Sequence, residues 1–554
     1  KNELTDEVNI SWSRIKGGEA IGRMIDAIDA GFDLLHPEKS VKGLVKLYTA
    51  MKSLPEGVWK TQKMKEVEML IAQCSGLWME AYTNEEFAVQ TDSVKIGFSV
   101  NNRLGVDALI HSISIDALDT TLDKSLSKND NLNFSETVYV PSAKPITQPY
   151  WLQHKMEEGY YNVTDQQKIG QPDADPAYIA KFYMQVYGQE LEFDQPVKYK
   201  FTDPVKGELY EPLVVIPPVT VSPDQDLKIS RNKNEFSGVL SVNSRKRSGN
   251  YEIDSLRTKE QDGYQAIFSP SKVSFVNKDK PQPVNYSISG SKDNEYDFLI
   301  SGEGMKGAVS YDLHEIEYPH IPYIHYFHDA GVVNRKVELE IYNKNIGYII
   351  GAGDKVPEAL EQMGYEVTLL TEKEMARNNL DRFDAIITGV RAYNTNDWMN
   401  NYYDKLMKYV ENGGNLIVQY NTSNFISNVS SKIGPYNFTI SRNRITDERA
   451  AVKMLQPDHP AFNFPNKISE DDFKGWIQER SIYDAVNVDK HFTPLISMND
   501  PGEGSDEGSL IVTDYGKGKF VYTGLVFFRE LPAGIPGAYR LLANLIALNR
   551  KKGF

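Results

Sequence analysis

Cysteine is almost missing. Cys74 is the single cysteine in 554 residues, so neither an intramolecular disulfide nor a cysteine-rich zinc site is available. Long apolar runs are missing as well. No stretch approaches the ~18 uninterrupted apolar residues of a membrane span, and no transmembrane segment is expected. Basic runs that could offset the formal net charge of -15 are not seen, and a chain with pI ≈ 5.3 repels a phosphate backbone, which argues against a nucleic-acid partner. The start, Lys1-Asn-Glu-Leu-Thr-Asp6, has neither the basic opening nor the apolar core of a signal peptide, and it reads as a chain begun partway through something longer. There is no H-x-x-x-H or H-E-x-x-H pattern and no G-x-S-x-G elbow.

What is present is ordinary globular material: 40% hydrophobic and 25% charged residues, in a length that suggests three or four units of roughly 150 residues each. The most legible stretch is Asn345 to Thr371. An apolar run ends in Gly351-Ala-Gly353, Val356, Leu360 and Met363 follow at helical spacing, Gly364 stops the helix, and a second apolar strand begins. Asp384 to Gly389 and Asn415 to Tyr420 repeat the strand signal at the spacing of a parallel sheet with crossover helices. The last third, 329–554, is therefore expected to be a doubly wound α/β domain, with Lys517 at a hairpin tip and Ala538 to Leu548 as a closing helix.

Upstream the pattern differs. Residues 1–84 predict three helices in a small bundle, with Ile21, Met24, Ile25 and Ile28, then Leu44, Leu47 and Tyr48, then Met64, Val67, Leu70 and Ile71 on the inner faces. Cys74, grouped with Ile71, Leu77 and Trp78 on the last helix, reads as a small buried residue rather than a nucleophile. From about Glu85 the period changes to two, in Val94 to Val100 and Ala108 to Ile115. Residues 85–220 predict a β-sandwich carrying an aromatic-rich insertion around Pro149-Tyr-Trp-Leu152 and Gly159-Tyr-Tyr161, and residues 221–328 predict a second, Ig-like sandwich. The fold class is accordingly multidomain α+β. The bridge from His314 to His328 holds four of the nine histidines, but its prolines break any helix that could gather them, so strand and linker is expected there in place of a metal site.

Ligands of open α/β sheets sit beyond the carboxyl ends of the strands. That rule selects Gly351 to Asp354, Arg391 to Asn394, and Gln419 to Thr422. The Gly-x-Gly turn is half of a dinucleotide fingerprint, yet Pro357 follows, the third glycine is missing, and Asp354 would face a pyrophosphate with its own charge, so no nucleotide is expected. No nucleophile stands at a strand-to-helix turn, and no histidine lies between His328 and His459. Two readings remain for the dense charged and aromatic segments around Arg442, Glu448, Glu479-Arg480 and Phe528-Arg529-Glu530. One is a structural ion-pair network. The other is a polar pocket for a sugar, with Asp354, Arg391, Asn394, Asn421, Arg442 and Arg444 as its binding residues. No catalytic and no metal-ligating residue is assigned.

The segments IGYIIGAGDKVPEAL, GVRAYN, YVENGGNLIVQYNT, IGPYNFTISRNRIT, DFKGWIQER, NDPGEG and YTGLVFFRELPAGIPGAYRL resemble the C-terminal region of large PIG-L (LmbE-like) deacetylases of Bacteroidota. ISWSRIKGGEAIG, ITQPYWL, YKFTDPVKGELYEPLVVIPPV and YPHIPY resemble that family's middle region. The resemblance implies a C-terminal flavodoxin-like domain similar to class I glutamine amidotransferases, and a separate zinc-dependent N-deacetylase domain carrying an Ala-His-Pro-Asp-Asp motif. That motif does not occur here; His36-Pro37-Glu38 is the nearest run, and the amidotransferase cysteine is missing too. The implied role is an accessory, substrate-positioning or anchoring region of an N-acetyl-sugar deacetylase, with a glycan ligand, no cofactor in this chain and zinc in the catalytic domain. The alternative is a scaffold with a cell-envelope protein partner. An extracytoplasmic location is implied by the resemblance alone.

Overall fold

The computed structural model describes residues 8–550 apart from 158, 261–262, 278–279, 291, 378, 424–428 and 430–431; the polar start Lys1–Asp6 lies outside the described residues. The chain is multidomain α+β, rich in sheet, with Ig-like β domains between helices at its start and a mixed last third.

Helices α1 (Gly18–Ala30), α2 (Val41–Lys52) and α3 (Val58–Ser75) open the described chain. They do not form a bundle with a core of its own. Ile21, Leu44, Leu47, Val67 and Ile71 bury themselves in one cluster with Val94, Ile96, Phe98 and Val100 of the first sandwich. Leu70, expected on the inner face, is 43% exposed. Gly76 ends α3 in the left-handed conformation (φ 64°), and Leu77–Thr83 is already a strand, so Leu77 and Trp78 are not on the last helix and the boundary falls at residue 76. Cys74 is half-buried against this shared core, and burial raises its thiol pKa.

The first sandwich pairs a five-stranded sheet (Gly207–Pro212, Lys198–Asp203, Leu77–Thr83, Ser93–Asn102, Asn131–Tyr139, in spatial order) with a four-stranded one (Leu118–Ser125, Ala108–Ile115, Ile179–Val186, Gln189–Pro196). The alternation read at Ala108–Ile115 is interrupted: the register slips between Ile110 and Ser112, a bulge at His111. That extra residue lets Ala108, Ile110, Ile113 and Ile115 all point inward.

The second sandwich faces Val219–Pro223, Glu235–Ser244, Gln282–Ser289 and Gln265–Ser269 against Leu227–Arg231, Gly331–Val337, Asn294–Gly302, Gly249–Thr258 and Lys272–Phe275. The boundary expected at residue 328 therefore lies later, because Gly331–Val337 pairs with two strands of this sandwich. The histidine-rich bridge is a hairpin, Asp312–Ile316 against Ile324–His328, whose Phe327 packs on Val214 and Ile216. His314 stacks on Tyr326, with ring centroids 5.1 Å apart.

In the last third a seven-stranded sheet is built from β1 (Asn345–Ile349), β2 (Glu366–Leu370), β3 (Ala385–Thr388), β4 (Asn415–Gln419), β5 (Thr493–Pro494), β6 (Leu510–Tyr515) and β7 (Gly518–Thr523), in spatial order 2-1-3-4-7-6-5. Strands 2, 1, 3, 4 and 7 are parallel, and β6 joins β7 antiparallel through the hairpin whose tip holds Lys517. The strands read as continuous apolar runs because both faces are covered. On one face Ile346, Tyr348, Ile387, Ile417 and Val521 pack with α4 (Val356–Met363) and a helix at Pro536–Ile546. On the other, Ile349, Ile386, Leu416, Val418 and Phe520 pack with Met375 of α5 (Glu372–Arg377) and with the helix Tyr403–Glu411.

The edge strand Leu227–Arg231 of the second sandwich is tied to this domain. Gln362 of α4 accepts from the Ile229 amide (2.8 Å) and donates to the Leu227 carbonyl (3.2 Å), occupying groups that an open edge would leave unpaired. Arg231 donates to the Leu339 and Met363 carbonyls, each at 3.1 Å. Arg231→Ala should therefore destabilise the joint by about 2 kcal/mol, on the scale of hydrogen bonds from a charged donor. Calorimetry checks this: the transitions of the two domains should separate, while a single unchanged transition would show that the joint does not depend on Arg231.

Candidate functional site

Three loops leave the carboxyl ends of β1, β3 and β4 and are laced together by backbone. The Ala352 amide donates to the Val390 carbonyl (2.8 Å), and Gly389 donates to Ile349 (2.8 Å). A Cβ on Gly351 would lie 2.1 Å from the Val390 oxygen, so this glycine serves close approach of two chain segments and no phosphate has to be invoked.

The sequence-selected residues separate into two groups here. Asp354 is spent within the fold: one carboxylate oxygen accepts from the Tyr348 hydroxyl (2.6 Å) and the Val356 amide (3.1 Å), the other from the Val390 amide (3.1 Å). Asn394 exchanges two hydrogen bonds with the backbone of Thr422, at 2.9 and 2.8 Å. Asn421 is fully buried, accepting from the Tyr393 amide (2.9 Å) and donating to the Gln419 carbonyl (3.0 Å). These three side chains hold the loops. Arg442 is exposed and reaches the Ser423 carbonyl at 3.4 Å. Arg444 is exposed beside Asp500, whose carboxylate accepts from Thr446 and the Asp447 amide. Arg391 is different. Its backbone is left-handed (φ 57°), its amide donates to the Tyr420 carbonyl (2.9 Å), and its Nε is buried with no hydrogen-bond acceptor among the described residues.

Arg391 meets side chains that sequence reasoning did not select. Tyr420 is raised in pKa by burial, against the opposing charge of Arg391 and Arg529. Its ring lies 5.8 Å from Tyr483 at 9° and 5.2 Å from Phe528. Arg529 lies over Phe528, 4.9 Å from the ring centroid, and donates to Glu479 at 3.0 Å. The signal was the charged and aromatic density at Glu479-Arg480 and Phe528-Arg529; which of these residues meet across fifty positions of chain is decided only by β7 ending next to β4. Beneath this rim, Thr388 Oγ1, Gln419 Oε1 and Thr422 Oγ1 are buried without partners among the described residues. The arrangement offers two cations, stacked aromatics and unfilled donors and acceptors, which is a binding chemistry.

Among the described residues, no Ser or Cys side chain at this edge is hydrogen-bonded to a histidine. The position after β4 is Tyr420-Asn421, with Asn421 locked as above. His459 and His491, which folding was free to bring near, lie at the other edge of the sheet. His459 is close to Lys519 at the start of β7, and its Nδ1 accepts from the Ala461 amide (3.1 Å). His491 stacks on Tyr436 at 4.1 Å, and Tyr436 in turn adjoins Tyr515 at the end of β6. Among the described residues no group of three or more His, Cys, Asp or Glu side chains is placed to hold a metal ion.

One acid beside the rim titrates unusually. Glu530 is fully buried and accepts from the Ile477 amide (3.1 and 3.2 Å), and burial pushes it up to about 8 against the pull of that amide, Arg480 and Arg529.

Comparison with protein-family models and with curated proteins gives no match. Among solved structures, the chain is similar at 11% identity and TM-score 0.25 to a red sea bream transglutaminase, over 51% of this chain and 34% of that one. It is similar at 10% identity and TM-score 0.15 to Escherichia coli alpha-2-macroglobulin activated by porcine elastase, over 45% and 32%. It is similar at 8% identity and TM-score 0.13 to the surface layer protein SbsC, domains 1–6, over 59% and 63%. The chain thus spans about a third of the transglutaminase and of the macroglobulin.

Two outcomes are expected at this edge. Gly351→Ala should cost on the order of 3 kcal/mol, because the methyl group meets backbone that has no room to move; a thermal melt within 1 °C of wild type would remove the close-approach argument. Because the pKa of Glu530 is higher folded than unfolded, its protonated form favours the fold; that contribution is complete below about pH 4.5 and fades as pH rises through about 8. Glu530→Gln should accordingly gain on wild type between pH 5 and 9, by on the order of 2 kcal/mol. Parallel stability curves for the two proteins over that range would contradict this.

Proposed function

We propose that this chain is the accessory, substrate-positioning or anchoring region of a PIG-L-type zinc-dependent N-acetyl-sugar deacetylase, and that it binds glycan rather than transforming it. The observation that carries the proposal is the edge itself. Where an amidotransferase-like domain would hold its nucleophile, this chain has Asn421 locked to backbone, while Arg391 with its unfilled Nε, Arg529, Tyr420 and Tyr483 form a cationic and aromatic rim. Guanidinium groups donate to sugar hydroxyl and carbonyl oxygens, and aromatic faces pack against the apolar face of a pyranose. The spatial order 2-1-3-4-7 of the parallel strands, with helices on both faces, supports a flavodoxin-like, doubly wound domain similar to class I glutamine amidotransferases.

Zinc chemistry is not assigned to these residues. The Ala-His-Pro-Asp-Asp run does not occur, and His36 is an exposed side chain paired with Glu38 at 3.3 Å. Zinc belongs, in this proposal, to a catalytic domain that the chain does not contain. An extracytoplasmic location, periplasmic, outer-membrane associated or secreted, accompanies the glycan substrate. No helix among the described residues is long and apolar enough to cross a membrane.

The second reading, a scaffold within a cell-envelope assembly, is favoured by one feature: Phe32, Leu34 and Leu35, between α1 and α2, are 48%, 80% and 85% exposed. Titration calorimetry with chitooligosaccharides separates the two. Binding should be weakened at least tenfold by Arg391→Asn, which keeps the left-handed backbone tolerable and removes the guanidinium, with a melting temperature within about 2 °C of wild type. Absence of binding, or binding indifferent to Arg391→Asn, would move the assignment to the scaffold.

A further inference from the structure

A cavity of about 630 Å³, well within the size range of small-molecule sites, opens where the two sandwiches meet, far in sequence from the α/β edge. Glu85, Glu86, Asp92 and Tyr199 line it from the first sandwich, and Arg245 and Arg247 from the turn that follows Glu235–Ser244 in the second.

That turn is built rather than loose. The buried Ser244 hydroxyl donates to the Lys246 carbonyl at 3.1 Å, and the Arg245 amide donates to the Pro218 carbonyl at 2.9 Å. Lys246 reaches across to the first sandwich, donating to the Thr91 carbonyl at 3.0 Å. With Lys246 anchored, its neighbours on either side are held at the cavity. Arg245 Nε is buried there without an acceptor among the described residues, and the guanidinium is depressed in pKa by burial, with Glu315 and Glu86 opposing. Glu86, which also lines the cavity, lies 3.5 Å from His325 of the hairpin. Tyr199 stacks on Phe201 with centroids 4.9 Å apart and forms an aromatic wall.

The charges around this space are only partly matched: Glu86 acts on Arg245 against the effect of burial. Among the described residues, Glu85, Asp92, Arg245 and Arg247 have no oppositely charged side chain within 4.0 Å. Two unpaired cations and two unpaired acids around one cavity would repel a ligand of either single sign from part of the lining, and would suit a ligand that carries both. The unfilled buried donor at Arg245 calls for an anionic acceptor. We infer that the inter-sandwich cavity is a second binding site, for a small zwitterion whose carboxylate meets Arg245 and Arg247 and whose ammonium faces Glu85 and Asp92, of the class of amino acids and amino-sugar acids. The site is independent of the glycan reading of the α/β edge.

Three matched probes test this on the intact chain by titration calorimetry: D-glucosaminate, which carries both charges, D-gluconate, which keeps only the carboxylate, and D-glucosamine, which keeps only the ammonium. Glucosaminate should bind at least tenfold more tightly than either of the others. Arg245→Gln should weaken glucosaminate at least tenfold and remove any response to gluconate, whereas Asp92→Asn should act on glucosamine and glucosaminate alone. Arg247→Gln, at an exposed position, should weaken the same anion contact and replaces Arg245→Gln if that variant does not fold. Arg391→Asn should change none of these values. Glucosaminate binding no tighter than gluconate or glucosamine, or undiminished by both arginine variants, would overturn the inference.

Discussion

Burial of both faces of the seven-stranded sheet is the constraint on which the last third of the chain depends. Alternate residues of one strand serve two different cores: Ile387 packs with α4 and its neighbours, Ile386 with α5 and the helix Tyr403–Glu411. No polar side chain is tolerated in the middle of such a strand without partners. Polar groups are therefore displaced to the strand ends, and at the carboxyl edge they meet the loops. Close packing sets the loops too, since Gly351 and Gly389 bring two turns to backbone contact and leave Asp354 within reach of the Val390 amide.

The edge that results is divided between holding and binding. Asp354, Asn394 and Asn421 use their hydrogen-bonding capacity on neighbouring backbone, which makes the loops rigid. Arg391, whose buried Nε has no acceptor among the described residues, sits on that frame beside the aromatic trio of Tyr420, Tyr483 and Phe528, with Arg529 held by Glu479. Rigid support under a polar rim is what selective binding of a polar molecule requires, because little ordering remains to oppose it on contact. The inter-sandwich cavity follows the same logic, with Lys246 anchoring the turn that presents Arg245 and Arg247.

Much of the architecture was legible along the chain, because period and punctuation are local properties. The change from helical spacing to alternation marks the first sandwich, and the apolar runs closed by glycine mark the parallel strands. The errors fell where long-range packing overrides local pattern. Leu77 and Trp78 continue the apolar rhythm of α3, yet Gly76 turns the chain and they begin a strand. Gly331–Val337 follows the histidine hairpin in sequence but closes the second sandwich, a pairing across roughly a hundred residues with Leu227–Arg231. The bulge at His111 is invisible to a period count, since only the partner strand reveals the extra residue.

At the candidate site, residue type and loop position put Arg391 among the six candidates, and that neither Cys nor Ser directly follows β4 was plain from Tyr420-Asn421. Sequence also determined that strands bearing uninterrupted apolar runs would be covered on both faces, because such runs have no side that water can face. Only the tertiary structure decided that Asp354, Asn394 and Asn421 are consumed by backbone groups, that His459 and His491 lie at the opposite edge, and that Tyr483, Phe528 and Arg529 join Arg391. The physical reason is distance along the chain. Hydrogen bonds and ring contacts act over a few ångströms, and which residues come within that range is settled by strand order, which pairs β4 with β7 across about a hundred intervening positions.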